Sequence, residues 1–278
     1  MLQSPRQPSP SAVLPSSHSS PLSTTPSPQA ASRQPVARHA LRVRSLFAAP
    51  SSHSSPAAWL TMWSPQRATV QPLLQLYADH FASPRPDGEG PSPQKLAEAL
   101  AKVGRAGLLV SEDRIALARR GAAVTLNGIA QGYATDRVVE RLREAGLSTT
   151  LVNIGEIRAI GARPEGTPWR VGLADPERPG ALTETVDLVD RAVATSAGAG
   201  FRFDSKGRFT HLFDPTTGRS PSRYSTVSVM APTATEADAL STAFSLMPLS
   251  RIEDIVDARP NVQARITDSC GTLIVCGA

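Results

Sequence analysis

The sequence predicts an α+β fold, a mostly antiparallel sheet core with flanking helices, preceded by a disordered N-terminal segment. Three observations carry this. Short runs rich in Val, Ile, Thr and Phe outnumber the helical stretches after residue 148. Strands and helices do not alternate regularly, which argues against a doubly wound parallel sheet. Composition also breaks sharply near residue 66, dividing the chain into a leader, 1–66, and a folded domain, 67–278.

The domain begins with Val70-Gln-Pro-Leu-Leu-Gln-Leu-Tyr-Ala-Asp-His-Phe81, whose apolar residues at 70, 73, 74, 77, 78 and 81 fit one helical face. Pro84 to Pro91 reads as a Gly/Pro loop. Ser92-Pro-Gln-Lys95 then opens a helix to Val103, with Ser92 as N-cap and Pro93 at the first helical position. Leu108–Val110 and Arg114–Leu117 form a hairpin around Glu112-Asp113. Gly132 to Ala145 reads as an amphipathic helix with Tyr133, Val138, Val139 and Leu142 on its apolar side, ended by Gly146. Strands follow at Thr149–Ile154, Arg158–Ile160, Trp169–Ala174, Ala192–Thr195, Phe209–Phe213 and Thr226–Met230. Helices at Ala234–Met247 and Arg251–Arg259, then strands at Val262–Ile266 and Thr272–Cys276, close the chain.

Charge is spread unevenly. Six Arg and no acid precede Asp79, so the first 78 residues carry about +6 and the remainder about −1. The pI near 9.7 therefore belongs to the leader and gives no support to nucleic-acid binding by the domain. With 12 of the 25 prolines before residue 78, and runs such as Ser16-Ser-His-Ser-Ser20, that segment cannot bury enough apolar surface to offset about 1–2 kcal/mol of backbone entropy per residue. Its Arg/Ser-rich, acid-free composition is that of a transit peptide or of an out-of-frame leader. Ser45-Leu-Phe-Ala-Ala-Pro50 is too short for a secretory core. No run approaches the roughly 18 apolar residues of a membrane span. Cys270 and Cys276 read as small core or edge residues, a disulfide being open only to an exported chain.

Three segments point to chemistry. Thr233-x-x-Glu236 is a capping box, and the helix it starts sets Asp238 and Thr242 at i and i+4 on one face. A carboxylate and a hydroxyl suit Mg²⁺, which completes its shell with phosphate and water. The plainer alternative is a first-turn acid favoured by the helix dipole beside a Thr bonded to its own helix. Gly128-Ile-Ala-Gln-Gly132 leads into a helix, where free amides could cradle phosphate oxygens, although such entries are common. His211, ahead of Asp214-Pro-Thr-Thr-Gly218, ends a strand as either a satisfied polar residue or a catalyst.

Taken together, Thr125-Leu-Asn-Gly-Ile-Ala-Gln-Gly-Tyr-Ala-Thr-Asp136, Leu151-Val-Asn-Ile-Gly-Glu-Ile-Arg158, Ala194-Thr-Ser-Ala-Gly198, His211-x-x-Asp-Pro-x-Thr-Gly218 and Ala231-Pro-Thr-x-x-Glu-Ala-Asp-Ala-Leu-Ser-Thr242 resemble, in order, the motifs of ApbE-type FAD:protein FMN transferases. The Asn127 and Gln131 form of the first motif most resembles the NosX-like branch. The resemblance implies Mg²⁺-dependent transfer of the FMN half of FAD to a threonine of a target flavoprotein, with release of AMP. It implies metal ligands at Asp238, Thr242 and the Gly128 carbonyl, and flavin contacts at Thr125, Gln131 and Leu212. The nucleophile belongs to the partner, a membrane-associated protein facing the periplasm, and the branch points to the electron supply of nitrous oxide reductase. It also implies a site at the periplasm or the periplasmic face of the inner membrane.

This sequence departs from the family pattern at two places. The usual Asp and Lys of the Gly-rich motif are Thr125 and Gln131 here, which removes a charge facing phosphate. The stretch preceding Thr69-Val-Gln-Pro-Leu73 in family members is replaced by the Pro/Ser leader, so the domain reads as N-terminally incomplete, with an open sheet edge. Two other readings therefore stand beside the transferase: a non-catalytic remnant, and an FAD-hydrolysing phosphohydrolase in which water replaces the threonine.

Overall fold

The computed structural model describes residues 12–13, 41–42, 69–83, 89–111, 114–178 and 180–277. In chain order the elements are β1 (Ala12–Val13), β2 (Leu41–Arg42), α1 (Gln71–Ala82), α2 (Pro93–Leu100), β3 (Leu108–Val110), β4 (Arg114–Leu117), α3 (Ala130–Glu144), β5 (Thr150–Asn153), β6 (Ile157–Ile160), β7 (Trp169–Ala174), β8 (Leu182–Leu188), β9 (Ala192–Ala197), β10 (Tyr224–Ala231), α4 (Ala234–Phe244), α5 (Leu249–Asp257), β11 (Gln263–Asp268) and β12 (Leu273–Cys276). The α+β class holds. Apart from β1 and β2, the leader read as disordered lies outside the described residues, as do the Glu112-Asp113 turn and most of the Pro84–Pro91 loop.

The chain divides into two units, each described by itself. The first comprises the described residues of 1–17, 127–200 and 222–278. Its centre is a six-stranded sheet of order β12-β11-β10-β9-β6-β5, antiparallel at every pairing. Alternation along the strands sorts side chains to two faces. Ala192, Ala194, Val227, Val229 and Ala231 meet α4 and α5 through Ala237, Phe244, Ile252 and Val256. Val193, Met230, Ile157 and Ala159 face the other way, onto Val171, Leu173, Val186 and Leu188 of β7 and β8. Those two strands form a smaller sheet with β1. The large sheet is thus covered on both faces, and each fully buried Phe or Ile there contributes roughly 1.5–3 kcal/mol.

The second unit comprises the described residues of 18–126 and 201–221. Leu73 and Tyr77 of α1 pack with Ala99 of α2, Val103 and Phe213. The buried Tyr77 hydroxyl donates to the Gly218 carbonyl at 3.1 Å, which satisfies its polar end. Ser92 caps α2 as expected, accepting from the Lys95 amide at 3.4 Å. The β3–β4 hairpin forms, and β2 pairs with β4.

Three expectations need correction. Phe209–Phe213 is not a strand; it makes a single bridge, Arg202 to Thr210. The bridge is flanked by backbone bonds from the Phe203 amide to the Phe209 carbonyl at 2.8 Å and from the His211 amide to the Phe201 carbonyl at 3.3 Å. The Thr210 and Leu212 amides instead donate to Ser220 Oγ at 2.8 Å and Thr210 Oγ1 at 3.3 Å, so no ladder extends from it. Strand β8, Leu182–Leu188, was not legible, because Thr183, Glu184, Thr185 and Asp187 mask its apolar positions. On α3 the apolar stripe faces the core only in part: Val139 and Leu142 pack with Val152 and Ile160, Tyr133 and Val138 are exposed, and Gly132, Thr135 and Asp136 complete the buried face.

Candidate functional site

The buried face of α3 meets the start of α4. Gly132 stands at the crossing, where a Cβ would lie 2.7 Å from the Ala234 carbonyl carbon and 2.8 Å from Asp238 Cβ, and closer still to the Ala234 oxygen. Only glycine fits there. Its amide donates to Asp238 Oδ2 at 2.9 Å. This corrects the reading of the Gly-rich entry as a free cradle: at least one of its amides serves the protein's own carboxylate.

One helical turn further along α3, Asp136 lies against the N-terminus of α4. Its Oδ1 accepts from the Ala234 amide at 2.8 Å, and its Oδ2 from the Thr235 amide at 2.9 Å and the Thr235 hydroxyl at 2.5 Å. The carboxylate thereby satisfies free amides of α4 at the positive end of the helix dipole. Arg158 of β6 completes the arrangement with an ion pair to Asp136 Oδ1. Both partners are buried, Asp136 at 6% exposure and Arg158 at 8%. Thr233 supplies the expected N-cap, accepting from the Glu236 amide at 3.2 Å. The Glu236 carboxylate lies 3.6 Å from Arg259, and burial raises its pKa.

Asp238 and Thr242 share one face of α4, as their spacing requires. Asp238 is 3% exposed. Its pKa is pushed up to about 7: burial is the main cause, the Gly132 amide opposes it, and the charge of Asp136 adds to it. The Thr242 hydroxyl lies 3.2 Å from Ser196 Oγ of β9, so it reaches across to the sheet. Gly128 is buried two residues before α3. Gln131 follows on α3; its Oε1 is buried, and a Cβ at Gly155, whose φ is +123°, would come within 3.0 Å of its Nε2.

Thr125 and Leu212, the other expected flavin contacts, belong to the second unit. Thr125 is half-buried and Leu212 buried. In the same unit His211 Nδ1 lies 3.3 Å from the Phe201 carbonyl.

The donors at Asp238, Thr242 and Gly128 are a carboxylate, a hydroxyl and a carbonyl. This hard, all-oxygen set fits Mg²⁺. A carboxylate desolvated to this degree is stabilised by a nearby cation, the condition a divalent ion would meet. Among the described residues no group of three or more His, Cys, Asp and Glu gathers as a metal cluster, here or elsewhere.

Sequence reasoning assigned no role to Asp136, Arg158 or Ser196, although all three fall within the motifs. A signal was present for Asp136: positions 132, 135, 136 and 139 share one helical face, and a polar pair on that face beside a glycine marks a crossing rather than a solvated side.

Residues 67–266 match the ApbE family. The FAD:protein FMN transferase of Haemophilus influenzae is 32% identical over 188 residues, covering 64% of this chain and 54% of that protein. That of Escherichia coli is 30% identical over 197 residues, covering 68% and 55%. The chain thus spans about half the length of these curated relatives. Among solved structures, the ApbE protein of Thermotoga maritima superposes with a TM-score of 0.68 at 30% identity, covering 79% of this chain and 72% of that one. The flavin transferase ApbE of Vibrio cholerae gives a TM-score of 0.63 at 28% identity, covering 76% and 68%.

Proposed function

Because the chain belongs to the ApbE family, we propose that it moves the FMN part of FAD onto a threonine of a target flavoprotein, releasing AMP. The observation that carries this reading is the buried Asp238 held against Gly132 with Thr242 one turn on, beneath a Gly-rich helix entry. The names of the relatives support the reaction class. The partner is a threonine-bearing protein, and we place the reaction at the periplasm or the periplasmic face of the inner membrane.

In the reaction the threonine oxygen loses its proton, to the departing AMP or to solvent, and forms a bond to the phosphorus on the FMN side of the pyrophosphate. The bond from that phosphorus to the bridging oxygen breaks, and AMP leaves with the bridging oxygen. When bound, Mg²⁺ neutralises the charge that develops on the pyrophosphate. Asp238 and Thr242, with the Gly128 carbonyl, would hold the ion. The chain's part is to present those oxygens fixed in advance. The Gly132 amide pins one carboxylate oxygen of Asp238, and Asp136 with Arg158 fixes the start of the helix that carries both side chains. Gln131, on α3 of the first unit, would contact the flavin nucleotide; for Thr125 and Leu212 of the second unit that role rests on the resemblance alone.

The test is in-gel flavin fluorescence of a threonine-bearing target domain after incubation with this chain, FAD and Mg²⁺. A metal-dependent fluorescent band is the expected result. A dark gel from soluble, folded protein would refute the reading.

A further inference from the structure

Strand β9 turns Ser196 to the same face as Ala192 and Ala194, toward α4. Ser196 is 2% exposed, and its Oγ meets two hydroxyls of that helix: Ser241 at 2.9 Å and Thr242 at 3.2 Å. Ser241, 1% exposed, donates in turn to the Asp238 carbonyl at 3.0 Å. A hydroxyl has one proton to give and two lone pairs to offer. A threonine that ligates a cation must aim a lone pair at it and its proton elsewhere. Run from Thr242 to Ser196, from Ser196 to Ser241, and from Ser241 to the Asp238 carbonyl, the protons end on an acceptor that has none to return. Reversed, the chain would leave the Thr242 proton directed away from Ser196 and toward the ion.

We propose that Ser196 is a positioning residue for the metal: by accepting the Thr242 proton it turns a Thr242 lone pair toward the cation, and it ties that orientation to residue 238 through Ser241. The inference rests on the reading of Asp238 and Thr242 as metal ligands. Ser196 does not itself touch the ion. The same strand supplies an internal comparison. Thr195, on the opposite face, pairs with Ser228 of β10 at 2.7 Å, also buried. That pair has the same chemistry but faces away from α4, so it tests whether any buried hydroxyl pair would matter equally.

The experiment is Mn²⁺ binding to the full-length protein, read from the electron paramagnetic resonance signal of the free ion. Wild type, Ser196→Ala, Ser196→Cys, Ser228→Ala and Asp238→Ala are compared, with thermal unfolding of each in metal-free buffer. The cysteine variant keeps the side-chain volume but offers only a weak acceptor, so it serves if the alanine variant fails to fold. Ser196→Ala and Ser196→Cys should weaken Mn²⁺ about tenfold, as loss of a partner behind a ligand typically does, while Ser228→Ala stays within about twofold of wild type. Both Ser196 variants binding like wild type would overturn the inference, as would equal weakening in Ser228→Ala. A wild type that binds no better than Asp238→Ala would remove the metal reading, and the inference with it.

Discussion

Replacing Gly132 with alanine sets two effects of opposite sign against each other, and the structure decides between them. In an ordinary helix position Gly→Ala stabilises by roughly 0.5–1 kcal/mol, because glycine loses more backbone entropy on folding. At residue 132 the new methyl would sit 2.7 Å from the Ala234 carbonyl carbon and 2.8 Å from Asp238 Cβ. Comfortable carbon–carbon contact is about 3.5–4.0 Å, so α3 and α4 would have to separate by close to 1 Å. Overpacking of this kind costs about 1–3 kcal/mol, and here the obstacle is largely backbone, which cannot swing aside. Separation also stretches the 2.9 Å bond from the Gly132 amide to Asp238, leaving a buried carboxylate oxygen poorly satisfied at a further cost of about 1–3 kcal/mol. The net expectation is a loss of about 2 kcal/mol or more after the propensity gain is subtracted. Equilibrium urea unfolding followed by circular dichroism measures it. A variant as stable as wild type, or more stable, would refute the close crossing and the account of the site built on it.

Asp136→Asn should destabilise by about 3 kcal/mol in the same assay, because it leaves Arg158 buried without its charge partner. Adding Arg158→Met should recover part of that loss, and no recovery would mean the pair does not act as a unit. Asp238→Ala should abolish metal-dependent flavin transfer with an unchanged circular dichroism spectrum; retained transfer would end the assignment of Asp238 to the metal. The raised pKa of Asp238 also has a thermodynamic sign. In EDTA its contribution to stability is fully present below the ordinary carboxylate pKa of about 4 and is lost as pH rises through about 7. Metal-free wild type should therefore lose stability across that window, and Asp238→Asn should flatten the profile; parallel profiles would exclude a raised pKa. Both cysteines are free, Cys270 exposed and Cys276 buried, so a thiol reagent should label one site quickly in native protein and both only after unfolding. Equal fast labelling of both would contradict the burial of β12's last residue.

Much of the fold was legible because local and tertiary requirements agree along most of the chain. Ser92-Pro93 both caps α2 and begins it, and Thr233 caps α4, so those starts needed no knowledge of the packing. Strands β9 and β10, covered on both faces, announced themselves through short runs of β-branched and small residues without charge. Strand β8 did not, because only its Val186 and Leu188 are buried while its polar residues sit at the rim. At Phe209–Phe213 the apolar pattern was real but served another purpose. Phe209 and Phe213 pack onto Tyr77, with ring centroids 5.7 and 4.9 Å away, while Ser220 and Thr210 oxygens take the Thr210 and Leu212 amides.

The site was legible only in part, for a related reason. Asp238 and Thr242 could be placed on one face from spacing alone, since i and i+4 always coincide on a helix. What that face looks at could not be read the same way. Helix burial is ordinarily judged by counting apolar residues, yet of those on α3 Val139 and Leu142 pack into the core while Tyr133 and Val138 do not. Here the buried face is Gly132, Thr135 and Asp136 with only one large apolar residue, Val139. Those polar groups are tolerated inside because each has a partner: Asp238 for Gly132, the Gln131 and Glu156 carbonyls for Thr135, and the α4 amides and Arg158 for Asp136. A polar face of this kind contributes little through burial and would be a liability without those partners. Its physical sense lies in what it holds still. The same contacts that satisfy Asp136 fix the first turn of α4, and the Gly132 amide fixes Asp238 one turn later, so the cost of burying polar atoms is exchanged for a carboxylate and a hydroxyl aimed in advance.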